Sequence, residues 1–226
     1  MEYLPNGYTL EVPAGCFPLS TDSILLAHFV RLPKNARVLD LGSGCGTVGT
    51  LLCAQNEYCR ITGVELDPAA HEAALENIRR NGLERRLSSI CADLRTVPTD
   101  CYDLCVSNPP YYSGGPASQA TPTARREDHC TPGALMAAAS RSLKFGGHFC
   151  LVHKPEKLAQ LIACGAEHGL EAKRLRLIRH QEGGAVSLIL LDLCKGAKPG
   201  LLWEEFALHH PDGTPTDFYR TLYHLN

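Results

Sequence analysis

No stretch of this 226-residue chain approaches the ~18 consecutive apolar residues of a membrane span, and no basic-then-apolar leader opens it. Both absences point to a soluble, cytoplasmic protein. Its eleven cysteines include no C-x-x-C pair, so the spacing of a structural metal site is missing and no metal is expected. Cys53, Cys91, Cys105, Cys150 and Cys194 stand in apolar runs, and buried thiols in a reducing compartment are the expectation. There are no internal repeats and no low-complexity tracts. The net charge of −2 excludes a globally basic polyanion binder. The charge is nonetheless uneven. Residues 1–120 carry nine Lys/Arg against 13 Asp/Glu, whereas 141–180 carry eight against three, with four histidines. A local basic face over 141–180 is enough to hold phosphates.

What is present begins with Val38-Leu-Asp-Leu-Gly-Ser-Gly-Cys-Gly-Thr47, which reads as strand, glycine-rich turn and helix start. Glycine lets backbone approach a ligand where a Cβ would clash. The turn lacks the full G-x-G-x-x-G of dinucleotide enzymes, and no Gly-Lys-Ser/Thr of a Walker loop follows it. About 20 residues on, the apolar run Arg60–Glu65 ends in a carboxylate suited to ribose hydroxyls. A nucleoside ligand without a pyrophosphate fits this pattern.

A second site follows. Asp103-Leu-Cys-Val-Ser107 is an apolar strand that runs directly into Asn108-Pro109-Pro110-Tyr111. The side-chain oxygen of Asn108 and the carbonyl of Pro109 can each accept a hydrogen of a planar, conjugated amine. Two such bonds localise its lone pair and favour alkylation. The prolines fix the backbone that aims them, and Tyr111 offers a face on which a ring stacks.

The remaining punctuation gives an alternating α/β order in a single domain. Helices are expected over 20–30, 47–56, 68–81, 132–145, 155–168 and 216–224. Strands are expected over 37–41, 60–65, 87–91, 103–107, 148–153, 171–180 and 185–193. Gly183-Gly184 turns the last two strands into a hairpin, which places one antiparallel strand in a parallel sheet. Residues 1–16 read as loop or a short hairpin. The segment 112–130, rich in Gly, Ser, Thr and charge, reads as a long functional loop.

Together, Phe17–Leu26, the glycine loop, the Asn-Pro-Pro-Tyr run and Leu151–Leu158 resemble class I S-adenosylmethionine-dependent methyltransferases of the NPPY branch. Within that branch they are most similar to the bacterial tRNA adenine-N6 methyltransferases that modify the adenosine beside the anticodon of valine tRNA. The resemblance implies a seven-stranded, mostly parallel Rossmann-like sheet with one antiparallel strand and helices on both faces. Residues 1–30 would be an extension contributing to a cofactor lid, and 31–226 the methyltransferase domain. S-adenosylmethionine would lie against Thr21, Asp22, Asp40, Gly42, Gly44, Gly46, Glu65, Leu66, Asp93, Leu94 and Asn108. Of these, Asp22 would meet the cofactor's ammonium and Asp93 its adenine amine. Asn108, Pro109, Pro110 and Tyr111 would be catalytic. Tyr112, Arg125, Arg126 and Lys154 would touch an RNA held by the 141–180 face and the 112–130 loop. His153-Lys154 stands where the closest relatives have His-Arg, which loses a bidentate fork. Three other readings stay open: an rRNA guanine or DNA adenine amino-methyltransferase, a glutamine-amide methyltransferase acting on a release factor, and a cofactor-binding module without activity. The oligomeric state is also open.

Overall fold

The glycine turn and the Asn-Pro-Pro run are brought together by a strand order that reverses direction between them. The computed structural model describes residues 2–4, 7–13, 16, 18–97, 102–110 and 130–223. A two-stranded antiparallel hairpin, β1 (Glu2–Tyr3) and β2 (Thr9–Leu10), precedes helix α1 (Thr21–Phe29). Then follow β3 (Arg37–Leu41), α2 (Thr47–Gln55), β4 (Arg60–Glu65), α3 (Pro68–Arg80), β5 (Leu87–Cys91) and β6 (Tyr102–Ser107). The second half contains α4 (Pro132–Ser142), β7 (Leu143–His153), α5 (Leu158–Glu167), β8 (Leu170–Gln181), β9 (Val186–Lys195), β10 (Leu202–His209) and α6 (Asp217–Leu222).

The main sheet has the order β10-β8-β9-β7-β6-β3-β4-β5. Only β9 is antiparallel, to both β7 and β8. The chain winds outward from β3 in both directions, so β3 and β6 flank a switch point. There the connecting segments leave on opposite sides and open a crevice at the C-terminal strand ends. Side chains alternate across the sheet, as the pleat requires. Val38, Leu104, Val106 and Leu190 join one buried cluster with α1 and α2, while Leu39, Leu41, Cys105 and Leu191 join a second with α4 and α5. The helix starts follow the sequence signals. Asp67 accepts from Ala69 N and caps α3 ahead of Pro68, and Thr131 accepts from Ala134 N ahead of Pro132.

Three expectations need correction. The sheet has eight strands rather than seven, because β10 adds to the edge beside β8. Its sequence, Leu202-Trp-Glu-Glu-Phe-Ala-Leu-His209, does not alternate, since two acids stand side by side. They are accommodated because β8 supplies Arg176 and Arg179 as partners. Next, α4 ends at Ser142 rather than 145, and β7 begins at Leu143 rather than 148, so Gly146-Gly147 lie inside the strand. The pairing of β6 with β7 shifts register between Tyr102 and Leu104, and a Cβ on Gly147 would stand 2.9 Å from the Lys144 carbonyl. Finally, Cys91 is exposed, at the end of β5, which is the other edge strand. Cys53, Cys105, Cys150 and Cys194 are buried.

Candidate active site

A cavity of about 330 Å³ occupies the crevice, within the size range of small-molecule sites. Its walls come from the ends of β3, β4 and β6, the turn after β5, and the first turn of α1. Asp22, Asp40, Gly42, Gly44, Glu65, Leu66, Asp93, Leu94, Asn108, Pro109 and Pro110 all line it. The donor-site and acceptor-site motifs, separated by some 60 residues of sequence, thus face one volume.

Two expected contacts stand apart from the lining. Thr21 Oγ1 is hydrogen-bonded to the Tyr223 hydroxyl at 3.0 Å, which ties α1 to α6. Gly46 caps the start of α2, and a Cβ on it would stand 3.6 Å from the Ala74 Cβ of α3. Lys154 is exposed one residue past β7, on the same edge of the sheet as Asn108. His153 is buried, accepts the Lys154 amide at Nδ1, and has its pKa lowered chiefly by burial. Tyr111, Tyr112, Arg125, Arg126 and the loop positions 112–129 lie outside the described residues.

The carboxylates differ in character. Glu65 accepts from Gly44 N through Oε2 and from Asp67 N through Oε1, both at 2.8 Å, so the glycine loop is laid against it. An ionised carboxylate has about four acceptor sites, more than these two amides use. Asp93 accepts the Arg95 amide and pairs with its guanidinium. Asp40 is 1% exposed, and neither of its oxygens has a well-formed hydrogen bond among the described residues. Burial first, and the Glu65 charge second, push its pKa up to about 7, offset in part by the Gly49 amide. A buried carboxyl in this state suits a cationic ligand. Beside it, Gly42 and Gly44 have φ of 72° and 54°. A Cβ on Gly44 would meet nothing within 4 Å, so the loop presents bare backbone to open space. The orphaned acid, the cradle and Glu65 fit a sulfonium-bearing nucleoside.

On the acceptor side, Ser107 Oγ donates to the Leu41 carbonyl at 2.8 Å and locks β6 to β3. Asn108 Nδ2 donates to Ser23 Oγ at 3.0 Å. Ser23 and Ser43, both buried and both lining the cavity, were not among the sequence candidates. Ser43 had a signal, since it sits between two of the loop glycines. Ser23 had only its adjacency to Asp22.

The basic segment 141–180 is largely spent within the fold. Arg174 pairs with Asp192, Arg176 with Glu204, Arg179 with Glu205 and Lys144 with Asp103. Arg141 donates to the Leu94 carbonyl. Among the described residues, no helix is long and apolar enough to cross a membrane, and no group of three or more His, Cys, Asp or Glu is arranged to hold a metal.

Comparison with known proteins gives three concordant findings. The family model for the methyltransferase small domain matches residues 20–163. The tRNA1(Val) (adenine(37)-N6)-methyltransferase of Aeromonas hydrophila subsp. hydrophila is 31% identical over 89% of this chain and 86% of its own length. That of Tolumonas auensis is 33% identical over 83% and 79%. Among solved structures, a predicted O-methyltransferase from Agrobacterium tumefaciens superposes with a TM-score of 0.76 at 22% identity, covering 90% of this chain and 96% of that one. A methyltransferase from Pyrococcus furiosus gives 0.64 at 21%, covering 83% and 89%. The structural likenesses establish the fold.

Proposed function

This chain belongs to the methyltransferase small domain family, and on that basis we propose that it methylates the exocyclic N6 amine of an adenosine in tRNA, with S-adenosylmethionine as the donor. The observation that carries the reading is that Asn108-Pro109-Pro110 and the glycine cradle with Asp40 and Glu65 line one cavity. The names of the two relatives above, both tRNA1(Val) (adenine(37)-N6)-methyltransferases, support the substrate class.

When bound, the cofactor supplies a methyl group already activated by a sulfonium. The chain's task is therefore placement and water exclusion. Asp40 faces the positive end of the donor, Glu65 takes the ribose hydroxyls, and Asp22 and Asp93 take its polar ends. Asn108 Oδ1 and the Pro109 carbonyl accept the two hydrogens of the target amine and draw its lone pair out of conjugation. Tyr111 stacks on the base, with Tyr112, Arg125, Arg126 and Lys154 along the RNA. No strong base is needed, because the methylated amine sheds its proton readily. The base must leave its stack to enter the cavity, and this costs least in a loop, which favours the anticodon loop. The extension 1–30 closes the donor side through the first turn of α1. A tRNA substrate supports a cytoplasmic location for the reaction. The internal pairing of the 141–180 cations shifts RNA holding toward the 112–130 loop and Lys154.

Nucleoside mass spectrometry of tRNA from a knockout strain and its parent tests the reading. Loss of N6-methyladenosine from one tRNA, restored by the wild-type gene, is the expected result. An unchanged tRNA profile would overturn it.

A further inference from the structure

A second cavity, of about 470 Å³, lies at the opposite ends of the same strands. β3, β4 and β6 open with Arg37, Arg60 and Tyr102, and the turn into β5 carries Glu84, Arg85 and Arg86. All six line this cavity. The length of β4, from Arg60 to Glu65, sets it about 17 Å from the donor site.

Four arginines share this cavity with one acid, and their charge is left uncompensated. Arg37 and Arg60 are register partners on neighbouring parallel strands, which run about 5 Å apart. Like charges set opposite one another destabilise a sheet. Among the described residues, none of the four arginines has a carboxylate within ion-pair distance. Arg37 lies over the Tyr102 ring, 5.5 Å from its centroid. Asp103 accepts the Arg37 amide rather than its guanidinium, and is paired with Lys144. Arg86 is fixed from behind: Nη1 donates to the carbonyls of Cys53 and Asn56, and Nη2 to the Tyr8 hydroxyl. Those acceptors are neutral, so its charge remains. Arg37, Arg60 and Arg85 are exposed. On β8 the fold supplies a carboxylate for each of Arg174, Arg176 and Arg179; where the strand starts bring these four together, it supplies none.

We propose that this cavity is a phosphate-binding site, in which the guanidiniums of Arg37, Arg60 and Arg85 close on phosphate oxygens around the fixed Arg86. A planar guanidinium matches two phosphate oxygens at once, and a phosphate relieves the repulsion between Arg37 and Arg60. The same chemistry serves a phosphodiester of an RNA and a free phosphate group. RNA is favoured, because the cations of 141–180 are largely paired within the fold and RNA affinity is drawn from cations that are not. The site holds the body of the RNA while the target base occupies the crevice at the other end of the sheet. Its assignment to RNA rests on the tRNA reading above; the site itself rests on the arginines alone.

The test compares two double variants with the wild-type protein. Arg60→Gln/Arg85→Gln removes two exposed cations of the cavity, and Arg79→Gln/Lys198→Gln removes the same charge from exposed positions outside both cavities. Fluorescence anisotropy gives the affinity for an unmodified valine tRNA transcript as a function of salt, calorimetry the affinity for inorganic phosphate, and a melt the thermal midpoint. The cavity variant is expected to bind the transcript about tenfold more weakly at low salt, with the slope of log K against log salt smaller by about one to two. Its midpoint is expected to hold or rise, since a repulsion has been removed. The control variant is expected to bind as wild type does. Wild-type tRNA binding with loss of inorganic phosphate from the cavity variant alone keeps the site and assigns it to a free phosphate. The proposal is overturned if neither ligand distinguishes the cavity variant from wild type, if the control loses as much, or if the loss comes with a lowered midpoint. Failure of the methylation reading looks different: the transcript then binds through the cavity and acquires no methyl group.

Discussion

The two ends of the sheet order treat buried charge in opposite ways. Along β8, β9 and β10 every arginine named above meets a carboxylate. Arg174 Nε reaches Asp192 at 2.8 Å, and Arg176 Nε reaches Glu204 at 2.6 Å. These guanidiniums also lie over aromatic faces, Arg174 over Phe29 and Arg176 over Phe29, Phe206 and Phe218. At the ends of β3 and β4 the buried ionisable groups are acids, Asp40 and Glu65. Glu65 accepts the amides of Gly44 and Asp67, and neither oxygen of Asp40 has a well-formed hydrogen bond among the described residues. Buried charge stabilises little even when paired and is costly when it is not. The fold pairs its charges where they hold strands together and leaves the Asp40 carboxyl without a well-formed hydrogen bond among the described residues, at the cavity where the cationic donor is proposed to bind. A surplus of basic residues counted along the chain therefore says little about an RNA face.

The contrast can be broken first at its paired end. Asp192 is 3% exposed and receives both Arg174 and His148. Asp192→Ala strands a buried guanidinium, so unfolding in urea should show a loss of about 3–5 kcal/mol. Cofactor affinity of the molecules that remain folded should not move. If it falls in step with stability, the two regions are one unit and the contrast fails.

Asp40 is the test at the unpaired end, with a smaller effect on free energy. Its folded pKa of about 7 stands above the ordinary carboxylate value, so the free protein holds this proton more tightly than the unfolded chain does. The group's contribution to stability is thus complete at acid pH and is lost as pH rises from about 4 to about 7, by up to about 4 kcal/mol. Cofactor binding runs the other way, since only the ionised form attracts a cation. Affinity for S-adenosylmethionine should climb between pH 6 and pH 8 and then level off. Asp40→Asn should bind roughly tenfold more weakly at pH 8, about 1.4 kcal/mol, and show no such climb. Calorimetry across that range decides. A wild-type pH profile in the variant would remove Asp40 from the cation's surroundings.

What could be read in the sequence follows from how far apart the cooperating residues are. Asp67-Pro68, Thr131-Pro132 and the apolar strands act through neighbours one to four positions away, and these elements appear where the chain predicts them. The strand β10 was not legible, because Glu204 and Glu205 break the alternation and become intelligible only beside arginines 28 and 26 residues earlier. The same holds at the site. Asp40, the glycines, Glu65 and Asn108 announce themselves by motif and do line one cavity. The bond from Asn108 to Ser23, and that from Thr21 to Tyr223 over 202 residues, have no sequence signature. Nor does the neutralisation of the 141–180 cations, since most of their acidic partners lie on other strands.

The smallest expected effect isolates the cradle itself. Gly44 and Gly82 have similar backbone, with φ of 54° and 64°, and a Cβ on either would meet nothing within 4 Å. Gly82 follows α3 and is remote from the cavity, whereas Gly44 lines it. Alanine at either position incurs the same left-handed strain, about 1 kcal/mol, and both variants should unfold that much more easily. Only Gly44→Ala places a methyl group in the cavity where the donor is proposed to lie, so only it should also weaken cofactor binding, by a few-fold. Because the strain is common to both, the difference between the two variants in cofactor Kd measures the close approach alone. Equal affinities would mean that the glycine at 44 serves the turn and not the ligand.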